Sequence, residues 1–239
     1  MKIVPILFAA LSLLVASQGA FADPVVIKKL LESRFPEIKP DKITKSGYGG
    51  LWEIFAGSEI FYTDEKVSYV VLGHLMDAKS RENVTESRLR KLTAISFEQL
   101  PLDQAIKTVR GTGAKKIAVF ADPYCGYCKK FEGDLLALQD VTIYTFLYPI
   151  IRPESSPTSK KIWCSADRVK AWQDLMLRNV EPSGEGTCQT PVDAVLAFGQ
   201  KLRVNGTPTT FFEDGERISG AIPKEAIEAK MAAASTAKK

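Results

Sequence analysis

The chain has 239 residues, 45% hydrophobic and 25% charged, with a formal net charge of +4 at pH 7. That length is generous for one small domain and comfortable for two, and its lysines and arginines are dispersed without a basic stripe, so nucleic acid is not an expected partner. Four cysteines, all in the second half, are too few for a disulfide scaffold but suit one reactive pair and one structural pair.

Lys2 precedes an apolar run over residues 3–15 and then Ala20-Phe21-Ala22, a small-x-small pattern. The reading is a secretory signal peptide over residues 1–22, because the run is shorter than the roughly 20 residues a spanning helix needs. No later run is apolar enough to cross a membrane. Pro24 can open a helix whose apolar positions Val26, Ile27, Leu30, Leu31 and Phe35 follow helical spacing until Pro36 stops it.

The period then changes to short β-rich runs at residues 51–55, 60–63 and 68–72, separated by Gly57-Ser58 and Thr63-Asp64-Glu65-Lys66, a meander signal. A unit of about 60 residues is marginal alone, so an exposed edge strand is expected to be completed by a second copy. The candidate edge is Val70-Val71-Leu72-Gly73-His74-Leu75-Met76. His74 is the only histidine and lies in this strand, far from the cysteines in sequence, which gives it a structural or surface role.

Asn83-Val84-Thr85-Glu86 offers helix-capping residues ahead of Leu89, Leu92, Ile95 and Leu100, with Pro101 as the stop. A helix over residues 85–101 reads as a semi-rigid linker with the domain boundary inside it. A second short helix is expected over residues 102–109, ending at Gly111-Thr112-Gly113.

The central stretch is Phe120-Ala121-Asp122-Pro123-Tyr124-Cys125-Gly126-Tyr127-Cys128-Lys129-Lys130. Residues 117–120 read as a buried strand, Asp122 and Pro123 as a turn, and Phe131, Leu135, Leu136 and Leu138 as the apolar face of a helix, so both thiols fall at a helix start. Unpaired backbone N–H groups and the positive end of the dipole there favour a thiolate at the first cysteine, which makes Cys125 the expected attacker. Cys128, one turn deeper, can attack back. The alternative is an inert structural disulfide; two intervening residues and the strand-to-helix setting favour the redox reading.

Residues 141–148 form the next strand, and strand–helix–strand suggests a parallel crossover. One helix over residues 159–177 and another over 192–202 interrupt a small α/β sheet, like an insertion. Thr209-Thr210-Phe211-Phe212 returns to the sheet, turns at Glu213-Asp214-Gly215-Glu216 into Arg217-Ile218, and a helix over residues 224–233 closes the domain.

Cys164 and Cys188 lie in and just after the insertion. A bridge between them would close about 25 residues, worth roughly 3 kcal/mol; the alternative, zinc held by all four cysteines, usually requires two close pairs, and only Cys125 and Cys128 are close. In Gly206-Thr207-Pro208-Thr209 the proline can be cis and set backbone groups beside the reactive sulfur, or it can be an ordinary turn proline.

With Cys125-Gly126-Tyr127-Cys128, Thr207-Pro208, the Cys164 and Cys188 pair and an N-terminal module joined by a helix, the sequence resembles the periplasmic thiol:disulfide interchange proteins of the DsbC/DsbG type over essentially the whole mature chain. The resemblance implies an α+β protein: a cystatin-like dimerisation domain (23–84), a linker helix (85–101) and a thioredoxin-fold domain with a helical insertion (102–239). It implies a homodimer through a strand containing Gly73, a cleft for misfolded disulfide-containing proteins, chaperone activity, and a membrane reductase of the DsbD type that keeps Cys125 and Cys128 reduced. Gly126-Tyr127 looks more like the isomerase branch, and no cofactor or metal is implied. The function expected is therefore a periplasmic disulfide isomerase and reductase. The alternatives are a disulfide oxidase of the DsbA kind, or a holdase whose cysteines are structural only.

Overall fold

A computed structural model describes residues 23–237, so the expected leader lies outside the described residues. The chain divides into two compact units, one reaching to Ala56 and including Phe61–Leu72, the other made of Gly57–Ile60 and everything from Gly73 onward.

In the first unit, helix α1 (Pro24–Arg34) is capped by Asp23, whose carboxylate accepts from the Val25 N–H at 2.9 Å. Its apolar spacing buries Ile27 and Leu31 against a four-stranded sheet. The strands are β1 (Lys42–Lys45), β2 (Trp52–Ala56), β3 (Glu59–Thr63) and β4 (Val70–Leu72), in the order β1-β2-β3-β4. Three match the expected runs; β1 was not anticipated, because Lys42-Ile43-Thr44-Lys45 holds one apolar residue and pairs antiparallel to β2 only through tertiary placement. Trp52, Ile54, Phe61 and Val67 complete the core.

Strand β4 is an edge of its sheet, and on it Val71 is 43% and Leu72 80% exposed. The strand stops at Leu72, earlier than expected, because Gly73 turns to φ +138°. His74 is consequently not in the strand; its Nδ1 lies 3.0 Å from the Asn83 amide nitrogen in the second unit.

In the second unit, helix α2 (Val84–Leu92) is capped by the Asn83 side chain, which accepts from the Glu86 N–H at 3.0 Å. It ends well before Pro101, correcting the expected helix over 85–101. The Thr93 hydroxyl folds back onto the Leu89 carbonyl at 2.9 Å, and the Ile95 N–H donates to the Gly215 carbonyl at 3.0 Å. Phe97 and Leu100 then bury beside Ala118, Phe120 and Phe211, so these residues dock as a short 3-10 turn instead of continuing a free helix.

The helix expected over 102–109 is also corrected. A 3-10 turn (Leu102–Gln104) leads into strand β5 (Ile106–Arg110), where Ile106 and Thr108 turn inward while Lys107 and Val109 are exposed, and a neighbouring strand supplies a ladder. That neighbour is β7 (Val141–Leu147), antiparallel to β5 and parallel to β6 (Lys115–Ala121). Strands β8 (Thr209–Phe212) and β9 (Arg217–Ser219) complete the order β5-β7-β6-β8-β9.

Helix α3 (Gly126–Leu136) makes the parallel crossover from β6 to β7. The insertion holds α4 (Ser155–Cys164), α5 (Arg168–Arg178) and α6 (Val192–Lys201), and α7 (Lys224–Ala237) closes the chain. One helix over 159–177 was expected; it is two, because Asp167 starts a new one by accepting from the Lys170 N–H at 2.9 Å.

Residues of β6 alternate between two cores: Ile117 and Val119 face Phe131, Leu135, Trp172 and Ile227, while Ala118 and Phe120 face Phe146, Tyr148 and Phe211. A central strand buried on both faces is the reason this run reads as continuously apolar. It also fixes the depth at which β6 delivers the turn ahead of Cys125.

Candidate active site

Beyond Ala121, the last residue of β6, the chain turns at Asp122 and enters α3 with Cys125 as its N-cap, at φ −75° and ψ 116°. In that position the side chain reaches the free N–H groups of the first turn. The Cys125 Sγ accepts from the Cys128 N–H at 3.3 Å, and the thiol can donate to the Thr207 carbonyl, also at 3.3 Å. The Thr207–Pro208 peptide bond is cis. Residues 82 positions apart in sequence thus meet at one sulfur.

Cys125 and Cys128 are both buried, unbridged thiols. Burial pushes the Cys128 thiol well above the ordinary range, and its neighbour Cys125 adds to the rise. Between them, Gly126 and Tyr127 face solvent, with Tyr127 73% exposed. The arrangement can present one sulfur at a helix start and hold a second thiol, raised by its burial, behind it.

Asp122 is wholly buried and accepts four hydrogen bonds. Its Oδ1 takes the Tyr124 N–H at 2.8 Å and the Ser155 hydroxyl at 2.9 Å; its Oδ2 takes the N–H groups of Ile150 at 2.7 Å and Ile151 at 2.9 Å. Tyr124 is pinned in turn: its hydroxyl donates to Glu181 at 3.0 Å and lies 2.8 Å from Thr158 Oγ1, while the Arg152 guanidinium stacks 3.3 Å above its ring.

On α3, one turn beyond Cys128, Glu132 is 5% exposed and accepts from the Trp172 Nε1–H at 2.9 Å. Burial pushes its carboxyl up to about 7, against the pull of the Trp172 hydrogen bond.

Cys164 and Cys188 are joined by a disulfide with a Cα–Cα distance of 5.7 Å, tying the end of α4 to the loop before α6 and removing both from any four-thiolate zinc site. Gly73 lies just beyond the end of β4, at φ +138°. The structure therefore brings Cys125, Cys128, Thr207 and Pro208 together and leaves Cys164 and Cys188 apart as a structural staple. Sequence reasoning gives Asp122 only as a turn residue and misses Glu132. The available signal for Glu132 was a carboxylate four residues after Cys128, on the apolar side of α3.

Residues 102–235 match the thioredoxin-like domain family, and residues 18–86 match the disulfide bond isomerase protein N-terminal domain. A probable thiol:disulfide interchange protein DsbC of Bordetella pertussis is 43% identical over 205 residues, spanning 86% of this chain and 73% of its own. The chain belongs to the DsbC family of thiol:disulfide interchange proteins. The DsbC of Escherichia coli is 27% identical over 235 residues, spanning 92% of this chain and 93% of its own. The crystal structure of a disulfide interchange protein from Neisseria gonorrhoeae superposes with a TM-score of 0.54 at 39% identity, covering 56% of this chain and 96% of that one. The family and the α+β class agree with the expectation: an isomerase-type N-terminal domain precedes a thioredoxin-like domain interrupted by helices.

Proposed function

We propose that this DsbC-family protein is a periplasmic disulfide isomerase and reductase in which Cys125 attacks and Cys128 resolves. The observation that carries the reading is the position of the Cys125 sulfur, at the α3 N-terminus between the Cys128 N–H and the Thr207 carbonyl. The Cys125 thiolate attacks one sulfur of a substrate disulfide; a mixed disulfide forms and the other substrate sulfur leaves as a thiolate. If a substrate thiolate then attacks the mixed disulfide, Cys125 is released unchanged and the substrate is isomerised. If Cys128 attacks instead, a Cys125–Cys128 disulfide forms, the substrate leaves reduced by two electrons, and an external dithiol must restore the enzyme.

Residues 23–84 form the dimerisation module, with Gly73 and the exposed edge at β4 as the contact to a second copy. Residues 85–101 link it to the catalytic domain at 102–239, Gly126-Tyr127 and Thr207-Pro208 line the substrate approach, and misfolded disulfide-containing proteins are held as by a chaperone. A membrane reductase of the DsbD type supplies the electrons. Reduced protein is expected to reactivate a scrambled multi-disulfide substrate, and Cys125→Ala to abolish this; unchanged reactivation by the variant would overturn the reading.

A further inference from the structure

Asp122 holds a full set of hydrogen bonds in a place where an anion is costly. An unmatched buried carboxylate costs several kcal/mol, so a wholly buried one has to be met by donors on both oxygens. Here four donors come from three places: Tyr124 in its own turn, Ile150 and Ile151 after β7, and Ser155 at the start of α4. The main-chain carbonyl of the same residue accepts from the Cys125 N–H at 3.2 Å. One residue thereby fixes the path from 122 to 125 through both its backbone and its side chain, and anchors that path to a segment some 30 positions away.

We propose that Asp122 is a positioning residue for Cys125. By clamping the turn to the segment between β7 and α4, it keeps the Cys125 sulfur on the Cys128 N–H and against the Thr207 carbonyl. Both contacts are 3.3 Å long, so a shift of the turn by less than an ångström weakens both. Asp122 touches no substrate in this role and acts through the geometry of the thiol. The inference rests on the reading of Cys125 as the attacking sulfur.

The demand is for a carboxylate, and an isosteric amide does not meet it. Asparagine offers one acceptor oxygen and one NH2 group. If the NH2 faces Ile150 and Ile151, two backbone donors meet a donor; if it faces the other way, the Tyr124 N–H does, although the Ser155 hydroxyl can rotate to accept. Either orientation releases one side of the clamp. Ser155→Ala is milder, since it removes one donor of four and leaves the charge and all three backbone bonds.

The test is the alkylation of Cys125 by iodoacetamide in the reduced full-length protein, followed by mass spectrometry from acid to alkaline pH. Asp122→Asn is expected to slow the reaction at neutral pH about tenfold and to move the midpoint of the profile upward, and Ser155→Ala to move both by about two- to threefold in rate in the same direction. Circular dichroism and a cooperative melt establish folding. A folded Asp122→Asn with the wild-type rate and midpoint overturns the proposal; should that variant not fold, a Ser155→Ala profile superimposable on wild type overturns it instead. Failure of the functional reading looks different: there, wild-type and Cys125→Ala proteins reactivate scrambled substrate equally, whatever the Asp122 variants do.

Discussion

Glu132 gives the sharpest expectation about stability. Its carboxyl titrates at about 7 in the folded protein against an ordinary 4.5, with burial as the cause. An acid whose pKa is raised by folding binds more protons in the folded state than in the unfolded one between those values. Stability therefore falls as pH rises from 4.5, and the penalty is complete above about 7. The rise corresponds to about 3 kcal/mol at 1.36 kcal/mol per pKa step. Glu132→Gln keeps the shape and an acceptor for the Trp172 Nε1–H but cannot ionise. Urea unfolding of wild type and variant, followed by tryptophan fluorescence between pH 4 and pH 8, should show the variant gaining on the wild type by about 3 kcal/mol across the window. Stability curves that stay parallel in pH would refute the reasoning: Glu132 would then titrate alike in the folded and unfolded states.

The remaining expectations concern the frame around the site. Replacing both Cys164 and Cys188 by serine opens a bridge with a sequence separation of 24 residues and should cost about 3 kcal/mol in denaturant unfolding, without removing the thiol reactivity of Cys125. A Cβ at Gly215, which sits at φ +83°, would come within 2.2 Å of the Ile95 carbonyl oxygen, so Gly215→Ala should lower the melting temperature of the catalytic domain by several degrees, at about 2–4 °C per kcal/mol. Leu72→Lys on the exposed β4 edge should convert a dimer to monomer in light scattering while the monomer stays folded; an undiminished dimer would move the interface elsewhere.

Local chemistry carried much of this protein into view. The apolar run of β6, the Asp122-Pro123 turn and the apolar face of α3 place Cys125 and Cys128 at a helix start through interactions between near neighbours, and the observed N-cap geometry is of that kind. The Asp23 cap of α1, the Asn83 cap of α2 and the turn between β8 and β9 are local in the same sense.

What escaped the sequence depends on partners distant along the chain. Residues 102–109 have a composition that a helix and a strand both accept, and β5 is a strand because β7 supplies its hydrogen bonds. The run toward Pro101 leaves the helix at Leu92 because Phe97 and Leu100 gain more from burial beside Phe120 and Phe211 than from continuing α2. Three of the four donors to Asp122 lie about 30 residues downstream, so a residue read as a turn former is also a clamp. Glu132 resembles any helical glutamate until Trp172, 40 residues on, covers it. Which sulfurs stand at a helix start follows from capping and periodicity, which act over a few residues; what surrounds them follows from burial and long-range hydrogen bonds, which exist only once the strands and helices have met.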